Sequence, residues 1–222
     1  MARQIQIDIY PLAQLSPESV LDRRAQIAAR KVEIAQLRNH CLSRYFALAI
    51  WDQDIARTDF GKPYLPEYSD CVFNHSHSQN FYAMAMSRKI SNLGLDMEEL
   101  NRKVRFQALA EHAFHPEELA LWHALDGDLE YWFKVWTTKE AVLKANGLGI
   151  RINLNELNTK IHPDQHGGMC TMEGLGVYAY QNYRIGGCML SVAWQAEQSC
   201  RGFNFPQIQI YQHLTRQNVK RN

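Results

Sequence analysis

The sequence has 222 residues, of which 46% are hydrophobic and 21% are charged, and its 24 Lys and Arg residues nearly balance 23 Asp and Glu residues. This composition is typical of a globular protein with one large domain or two small ones, and the formal charge of only +1 argues against non-specific nucleic-acid binding. The start, MARQIQIDIY, lacks the apolar core of a signal peptide, and no apolar run approaches the roughly 18–20 residues of a membrane span. We therefore expect a cytoplasmic protein that binds neither nucleic acid nor membranes.

The cysteines also indicate a reducing compartment. Five are spread widely along the chain without a CxxC pair: Cys41, Cys71, Cys170, Cys188 and Cys200. Because the number is odd and the chain is not small, we expect reduced thiols, most of them buried among apolar side chains.

The first hundred residues predict one long helix followed by strands. Ser16-Pro17-Glu18 is typical of a helix start, and small or apolar residues then recur at helical spacing between many basic ones. TDFGKPYLPEYSD (58–70) predicts a loop, since Gly61 and two prolines interrupt regular structure. Residues 71–98 predict three short strands, the second of which is the alternating segment Phe81–Ser87.

The rest of the chain repeats the change from helix to strand. The pattern is helical from Arg102 to Lys144, with breaks at His115-Pro116 and at Asp126–Asp128, and it stops at Asn146-Gly147, where Gly favours a helix end. Strand-like segments follow, most clearly RIGGCMLSVAWQ (184–195). The chain thus predicts an α+β fold with two halves, residues 1–102 and residues 103–222.

Two acidic residues share one face of the predicted strand LGLDME (93–98). In a strand, residues two apart point the same way at about 6.5–7 Å along the chain, so Asp96 and Glu98 project together while Leu95 and Met97 point away. Two such carboxylates raise each other's pKa unless a cation lies between them, and oxygen-only ligands favour Mg²⁺. A solvated strand edge is the alternative interpretation.

The predicted helix that ends at Gly147 carries a third acid. Glu140 and Lys144 lie one turn apart on the same face, so they could act together or form an ordinary surface pair. The neighbouring aromatic run YWFKVW (131–136) indicates that much of this helix is buried, where an unpaired Glu would be costly.

Two segments supply candidate anion donors. Ser76, His77 and Ser78 lie in FNHSHS (73–78), where a strand turns, and Lys62 lies in the Gly-Pro loop segment GKPYL (61–65). A surface histidine and an exposed loop lysine are the alternatives, because loops are mostly solvated.

Taken in order, these segments resemble a known family. GKPYL, FNHSHS, LGLDME and WTTKEAVLK (136–144) are similar to signature segments of the 4′-phosphopantetheinyl transferases of the surfactin-synthetase-activating type. The resemblance covers roughly residues 60–157, and GLGIRINLNEL (147–157) is similar to the Gly-x-Gly strand that follows in the family. Two positions depart from the pattern: His75 replaces an apolar residue, and Asn153 replaces a common proline.

The resemblance implies a fold and a reaction. The fold would be a pseudo-dimer of two similar α+β halves with coenzyme A in the cleft between them, in a monomeric protein. The reaction would move the phosphopantetheine arm of coenzyme A onto a serine of an acyl, peptidyl or aryl carrier protein and release adenosine 3′,5′-bisphosphate.

The resemblance also implies roles for individual residues. Asp96, Glu98 and Glu140 would hold Mg²⁺, or Mn²⁺, against the pyrophosphate. Glu140 would in addition accept the proton of the carrier serine, directly or through water, and Lys144 would neutralise or protonate the leaving phosphate. The coenzyme A phosphates would be bound by Lys62, Ser76, His77 and Lys144, and, by analogy with basic residues of the family's first helix, by Arg24 and Arg30.

Other interpretations stay open from the sequence. A non-catalytic coenzyme A-binding protein would keep the phosphate site without turnover, and a Mg²⁺-dependent phosphohydrolase would act without a carrier. Carrier docking on Phe106, Leu109 and Phe114 is a further hypothesis, with core packing as its alternative.

Overall fold

The computed structural model describes residues 3–12, 22–147, 153–172, 174, 176–199, 202–203 and 205–213. The helices within these ranges are α1 (Arg23–Phe46), α2 (Phe106–Ala113), α3 (Pro116–Ala124) and α4 (Leu129–Asn146). The strands are β1 (Gln4–Pro11), β2 (Ala56–Arg57), β3 (Pro63–Tyr64), β4 (Val72–His77), β5 (Phe81–Ser87), β6 (Leu93–Glu99), β7 (Gly167–Met172), β8 (Gly176–Ile185), β9 (Cys188–Gln195), β10 (Gln198–Ser199), β11 (Gly202–Phe203) and β12 (Gln207–Gln212).

Two four-stranded sheets form the centre of the molecule. Sheet 1 has the order β12-β1-β5-β4, with β12 parallel to β1 and the other neighbours antiparallel. Sheet 2 has the order β6-β9-β8-β7 and is antiparallel throughout. The mixed α+β class is therefore confirmed, and so are the three strands predicted within residues 71–98.

Three apolar clusters show how the layers are stacked. The first lies between α1 and sheet 1, the second between the two sheets, and the third between sheet 2 and α2, α3 and α4. Representative members are Leu42 and Met84 of the first cluster, Ile7 and Leu95 of the second, and Trp132 and Met189 of the third. Each sheet thus buries both faces, and one edge of each remains available to line a site.

Two strands cross the predicted boundary at residue 102. β6 precedes that residue but pairs with β9 in sheet 2, and β12 follows it by a hundred residues but pairs with β1 in sheet 1. The sheets therefore group the chain differently from a division into residues 1–102 and 103–222, and that division stays a prediction.

The helix ends follow local capping chemistry. The Asp22 side chain accepts a hydrogen bond from the Ala25 amide at 2.7 Å and caps α1, whereas the predicted start at Ser16-Pro17-Glu18 lies outside the described residues. The break at His115-Pro116 is confirmed by α3, which begins at Pro116. The stop after Asn146 is confirmed as well, because Gly147 adopts the left-handed conformation with φ of 86°.

The docking hypothesis is wrong for one of its three residues. Phe114 is only 2% exposed and packs against Trp122 and Trp132, so it belongs to the core. Phe106 and Leu109 are partly buried against the same cluster, and a contact between their exposed parts and a carrier stays a prediction.

Two further predictions concern thiols and membranes. Cys41, Cys71, Cys170 and Cys188 are free and buried, as expected, while Cys200 lies outside the described residues. Among the residues placed by the structure, no helix combines the length and apolar character that crossing a membrane requires.

Candidate functional site

A glycine sets how closely helix α4 approaches strand β6. A Cβ atom on Gly94 would lie 2.0 Å from the Ala141 carbonyl oxygen and 2.4 Å from the Ala145 amide nitrogen, so only glycine fits here. Residues Leu93, Leu95 and Met97 of the same strand point to the other side, into the cluster between the sheets. The opposite face, with Asp96 and Glu98, is therefore turned toward α4.

Strand β4 is joined to β6 by side chains instead of a backbone ladder. The Asn74 side-chain oxygen accepts a hydrogen bond from the Leu95 amide at 3.0 Å, and the Ser76 hydroxyl donates to Asp96 Oδ1 at 2.9 Å. Asn74, Ser76 and Asp96 are all buried. Because β4 and β6 are edge strands of different sheets, these contacts fix the position of one sheet edge against the other.

Asp96 lies at the centre of the site. The Lys144 ammonium donates to Asp96 Oδ1 at 2.7 Å and to the Ser76 hydroxyl at 3.2 Å. The other carboxylate oxygen, Oδ2, is buried without a hydrogen-bond partner. Lys144 is thus bound to the acid of the strand, and the surface pair with Glu140 does not describe its principal contact.

The two remaining acids are surrounded differently. Burial, and secondarily the charge of Asp96, raise the pKa of Glu98 to about 7, although the nearby Arg102 guanidinium opposes this shift. The Arg102 side chain forms an ion pair with Glu98. Burial and the Asp96 charge also raise the pKa of Glu140. Both carboxyls therefore ionise with more difficulty than in water.

The donor types fit a divalent cation, but the side chains are not gathered around one point. Three carboxylates and no sulfur or imidazole ligand constitute the donor set preferred by Mg²⁺, and the unpartnered Oδ2 of buried Asp96 is an acceptor that lacks a cation or donor. In the described part of the chain, no group of three or more His, Cys, Asp or Glu side chains is arranged to hold a metal ion. Side-chain movement at Asp96, Glu98 and Glu140 is therefore required for joint ligation.

Three depressions are lined by neighbours of Asp96, which include Lys144, Glu98 and His77. The α1 groove is lined by Gln26, Ile27, Arg30, Lys31, Ile34, Ala35, Arg38, Arg57, His75 and His77. The Lys62 pocket is lined by Phe60, Gly61, Lys62, Pro63, Asn74, His75, Leu143, Lys144 and Gly147. The polar groove is lined by His77, Ser78, Gln79, Glu98, Glu99, Asn101, Arg102 and Lys103. Since the first two are rich in cations, they suit a ligand with several phosphate groups.

The predicted phosphate ligands take different positions around these depressions. Lys62 donates to the Ala145 carbonyl oxygen at 2.5 Å, and burial lowers its pKa to about 8. His77 is exposed at the junction of the α1 groove and the polar groove, and desolvation and the Lys144 charge lower the pKa of its imidazole. Arg30 lines the α1 groove, whereas Arg24 is exposed and does not belong to that lining.

Sequence reasoning missed several residues of the site. Lys31, Arg38 and Arg57 add positive charge to the α1 groove, and Arg102 pairs with Glu98. Of these, only the pairing of Arg102 could have been suggested by the sequence, because Arg102 follows Glu98 by four residues. Asn74 was also visible within FNHSHS, but its role depends on the contact between two sheets.

Buried polar contacts hold α4 in place behind the acids. Lys139, next to Glu140, is 1% exposed, and its ammonium lies 2.8 Å from Glu118 of α3 and donates to the Leu154 carbonyl oxygen at 2.9 Å. Thr137 on the same helix shares a 2.7 Å hydrogen bond with Ser191 of β9. The helix is thereby tied both to α3 and to sheet 2, which limits the freedom of Glu140.

Comparison with known proteins agrees with this geometry. Residues 92–186 match the family described as the 4′-phosphopantetheinyl transferase superfamily, and the match includes β6 and α4. The 4′-phosphopantetheinyl transferase HetI of Nostoc is 36% identical over 110 residues, which are 47% of this chain and 46% of that protein. The 4′-phosphopantetheinyl transferase Sfp of Bacillus subtilis is 27% identical over 125 residues, with 55% and 54% covered. The 4′-phosphopantetheinyl transferase psf-1 of Bacillus pumilus is 29% identical over 164 residues, with 69% and 68% covered.

The chain thus resembles the 4′-phosphopantetheinyl transferase superfamily through the segment that carries the acids and Lys144, which is less than half of its length. It spans about half the length of most curated relatives that it matches, including HetI and Sfp.

Proposed function

We propose that this protein transfers the 4′-phosphopantetheine group of coenzyme A to a serine of an acyl, peptidyl or aryl carrier protein. The observation that carries the proposal is that Asp96 and Glu98 on β6 face Glu140 and Lys144 on α4, beside two depressions lined by cations. The match of residues 92–186 to the superfamily supports the same reaction.

In the reaction, the carrier serine oxygen attacks the phosphorus that bears pantetheine. The bond from this phosphorus to the bridging pyrophosphate oxygen breaks, which leaves a phosphodiester on the serine and releases adenosine 3′,5′-bisphosphate. Glu140 accepts the serine proton, and its raised pKa makes it a stronger base than an ordinary carboxylate. Lys144 places positive charge beside the leaving phosphate, where negative charge develops.

The carboxylates Asp96, Glu98 and Glu140 would hold Mg²⁺, with Mn²⁺ as the second candidate. Such an ion, when bound, neutralises charge on a pyrophosphate and orients its oxygens. The unpartnered oxygen of Asp96 supports this assignment.

Coenzyme A is proposed to bind where the edges of the two sheets meet. Lys62, Ser76, His77 and Lys144 surround this region, and Arg30 extends it along the α1 groove. Arg24 is the weaker candidate of the two helix arginines, because it is exposed outside the groove.

The pseudo-dimer of two halves is part of the same proposal. Two four-stranded sheets, one covered on its outer face by α1 and the other by α2, α3 and α4, support a repeated architecture. We also propose that the protein acts as a monomer, as the resemblance to the family implies. A cytoplasmic location also stays a prediction.

The test is intact-mass spectrometry of several apo carrier proteins after incubation with the protein, coenzyme A and Mg²⁺, with and without a chelator. Transfer predicts a mass gain of one phosphopantetheine that the chelator abolishes. Tight coenzyme A binding without a mass gain on any carrier would favour the non-catalytic coenzyme A-binding protein. Release of phosphate from coenzyme A in the absence of carriers would instead favour the phosphohydrolase.

A further inference from the structure

One ion pair of the site joins Asp96 to Lys144. The Lys144 ammonium lies 2.7 Å from Asp96 Oδ1, and the Ser76 hydroxyl donates to the same oxygen. An ammonium this close to a buried carboxylate supplies the positive charge that its burial requires. Its positive charge also repels a cation that approaches either oxygen of this carboxylate.

Lys144 has room to leave this contact, because its side chain is not enclosed. Its side chain is 31% exposed, whereas that of Asp96 is 7% exposed. Lys144 also lines the Lys62 pocket, one of the two depressions rich in cations. A rotation of the flexible lysine side chain could therefore carry the ammonium from the acid toward an anion in that pocket.

The neighbouring acid shows a similar arrangement on the solvent side. Glu98 is paired with Arg102, whose side chain is 45% exposed. Two of the three acids are thus paired with basic side chains of the protein itself. This pairing agrees with the lack of a preformed group of metal ligands in the described chain.

We propose that Lys144 and a divalent cation are alternative partners of Asp96, so that binding of the cation displaces the ammonium toward the phosphate groups of the substrate. This inference rests on the proposed function, because it concerns how the Lys144 ammonium and the divalent cation share the site proposed there. Lys144 would pair with Asp96 in the cation-free protein and would leave Asp96 when the cation binds. Glu98 and Arg102 would separate in the same way.

The proposal predicts that removing the ammonium strengthens cation binding. Mn²⁺ alone serves as the probe, and free Mn²⁺ is measured by electron paramagnetic resonance during titration of the wild-type protein and of Lys144→Met. Loss of one competing positive charge next to the ligand is expected to tighten Mn²⁺ binding by about tenfold. Lys62→Met is the matched control, since its ammonium donates to a backbone carbonyl instead of a carboxylate, and we expect less than about a twofold change.

Thermal unfolding gives a second readout that does not depend on activity. Without Mn²⁺, Lys144→Met should melt at a lower temperature than wild type, because buried Asp96 loses its counter-ion. Saturating Mn²⁺ should then raise the melting temperature of Lys144→Met by more than that of wild type. If Lys144→Met does not fold, Lys144→Gln, which keeps a donor without the charge, is titrated in its place.

Specific results would overturn the inference. They are unchanged or weaker Mn²⁺ binding by the charge-free variant, an equal gain in Lys62→Met, or no Mn²⁺ binding by any of the proteins. Failure of the proposed function is recognised separately: no carrier would gain phosphopantetheine, while the Mn²⁺ titrations would still report the competition. Transfer to a carrier together with unchanged Mn²⁺ affinity in Lys144→Met would overturn only the inference.

Discussion

Asp96 and Glu98 lie two residues apart on one strand, yet their surroundings differ. Asp96 is buried and receives hydrogen bonds from Ser76 and Lys144. Glu98 is partly buried beside the Asp96 charge, and its pKa rises to about 7. The strand alternation predicts that both face the same way, but the difference between them arises from α4 and from Arg102.

The first prediction at this scale concerns pH. Its raised pKa means that Glu98 keeps its proton below about pH 7, whereas binding of a cation requires the carboxylate. The rate of transfer at fixed Mg²⁺ should therefore rise through about pH 7 and then level off. Arg102 lowers the Glu98 pKa, so Arg102→Met should move the inflection to higher pH. A rate that is constant between about pH 6 and 8, or an inflection that moves down in Arg102→Met, would contradict the role of Glu98.

The second prediction separates binding from chemistry at Glu140. Glu140→Gln keeps the size of the side chain but removes the base, so kcat should fall by about a hundredfold while the Kd for coenzyme A changes by less than about threefold. Stopped-flow transfer rates and calorimetric titration with coenzyme A measure the two quantities. Equal losses in both would indicate that Glu140 only holds the cation and is not the base.

At the scale of elements, the site depends on the close contact between α4 and β6. Gly94→Ala should destabilise the protein by about 1–3 kcal/mol and lower kcat, because a Cβ would overlap the Ala141 carbonyl oxygen and push the helix away. Gly187→Ala is the control, since a Cβ there meets nothing within 4 Å, and it should cost less than about 0.5 kcal/mol. Urea unfolding and transfer kinetics measure both effects. Equal stability and activity in the two variants would show that the approach at Gly94 is not required.

A second prediction at this scale concerns the buried pair behind the acids. Lys139→Met leaves Glu118 buried without its counter-ion and should cost about 3–5 kcal/mol. The double variant Lys139→Met, Glu118→Gln keeps an acceptor for the Thr159 amide but removes the unpaired charge of Glu118. It should therefore be more stable than Lys139→Met alone. A double-mutant cycle by urea unfolding gives the coupling. Additive losses would mean that the two charges do not stabilise each other.

At the scale of the whole molecule, local sequence patterns predicted the helices and strands better than they predicted which strands pair with each other. The three strands within residues 71–98, the breaks at His115-Pro116 and the stop at Gly147 follow from alternation and capping, and all are found. That Asp96 and Glu98 share one face follows from the period of a strand. The family segments also predicted the acids and Lys144 as one group; Lys144 contacts Asp96, and the roles of these residues stay predictions.

Long-range contacts were beyond such reasoning. β12 pairs with β1 across about two hundred residues, and β6 pairs with β9 in the second sheet, although no local pattern records either contact. Lys144 pairs with Asp96 because Gly94 lets α4 approach closely, which the spacing between Glu140 and Lys144 does not reveal. Val32 continues the helical pattern of α1 but is 55% exposed, since the buried side of that helix lies near its end, at Cys41, Leu42 and Phe46.

The most direct test of the proposed transfer site is the single-turnover rate of Asp96→Asn, measured by intact mass of a carrier with saturating coenzyme A and ordinary Mg²⁺. Asn keeps the shape of the side chain and an acceptor for Ser76, so the variant should keep a cooperative thermal transition. If Asp96 is the central acid of the site, the rate of transfer should fall by about a hundredfold or more. A folded Asp96→Asn protein that modifies the carrier at the wild-type rate would contradict the assignment of this site.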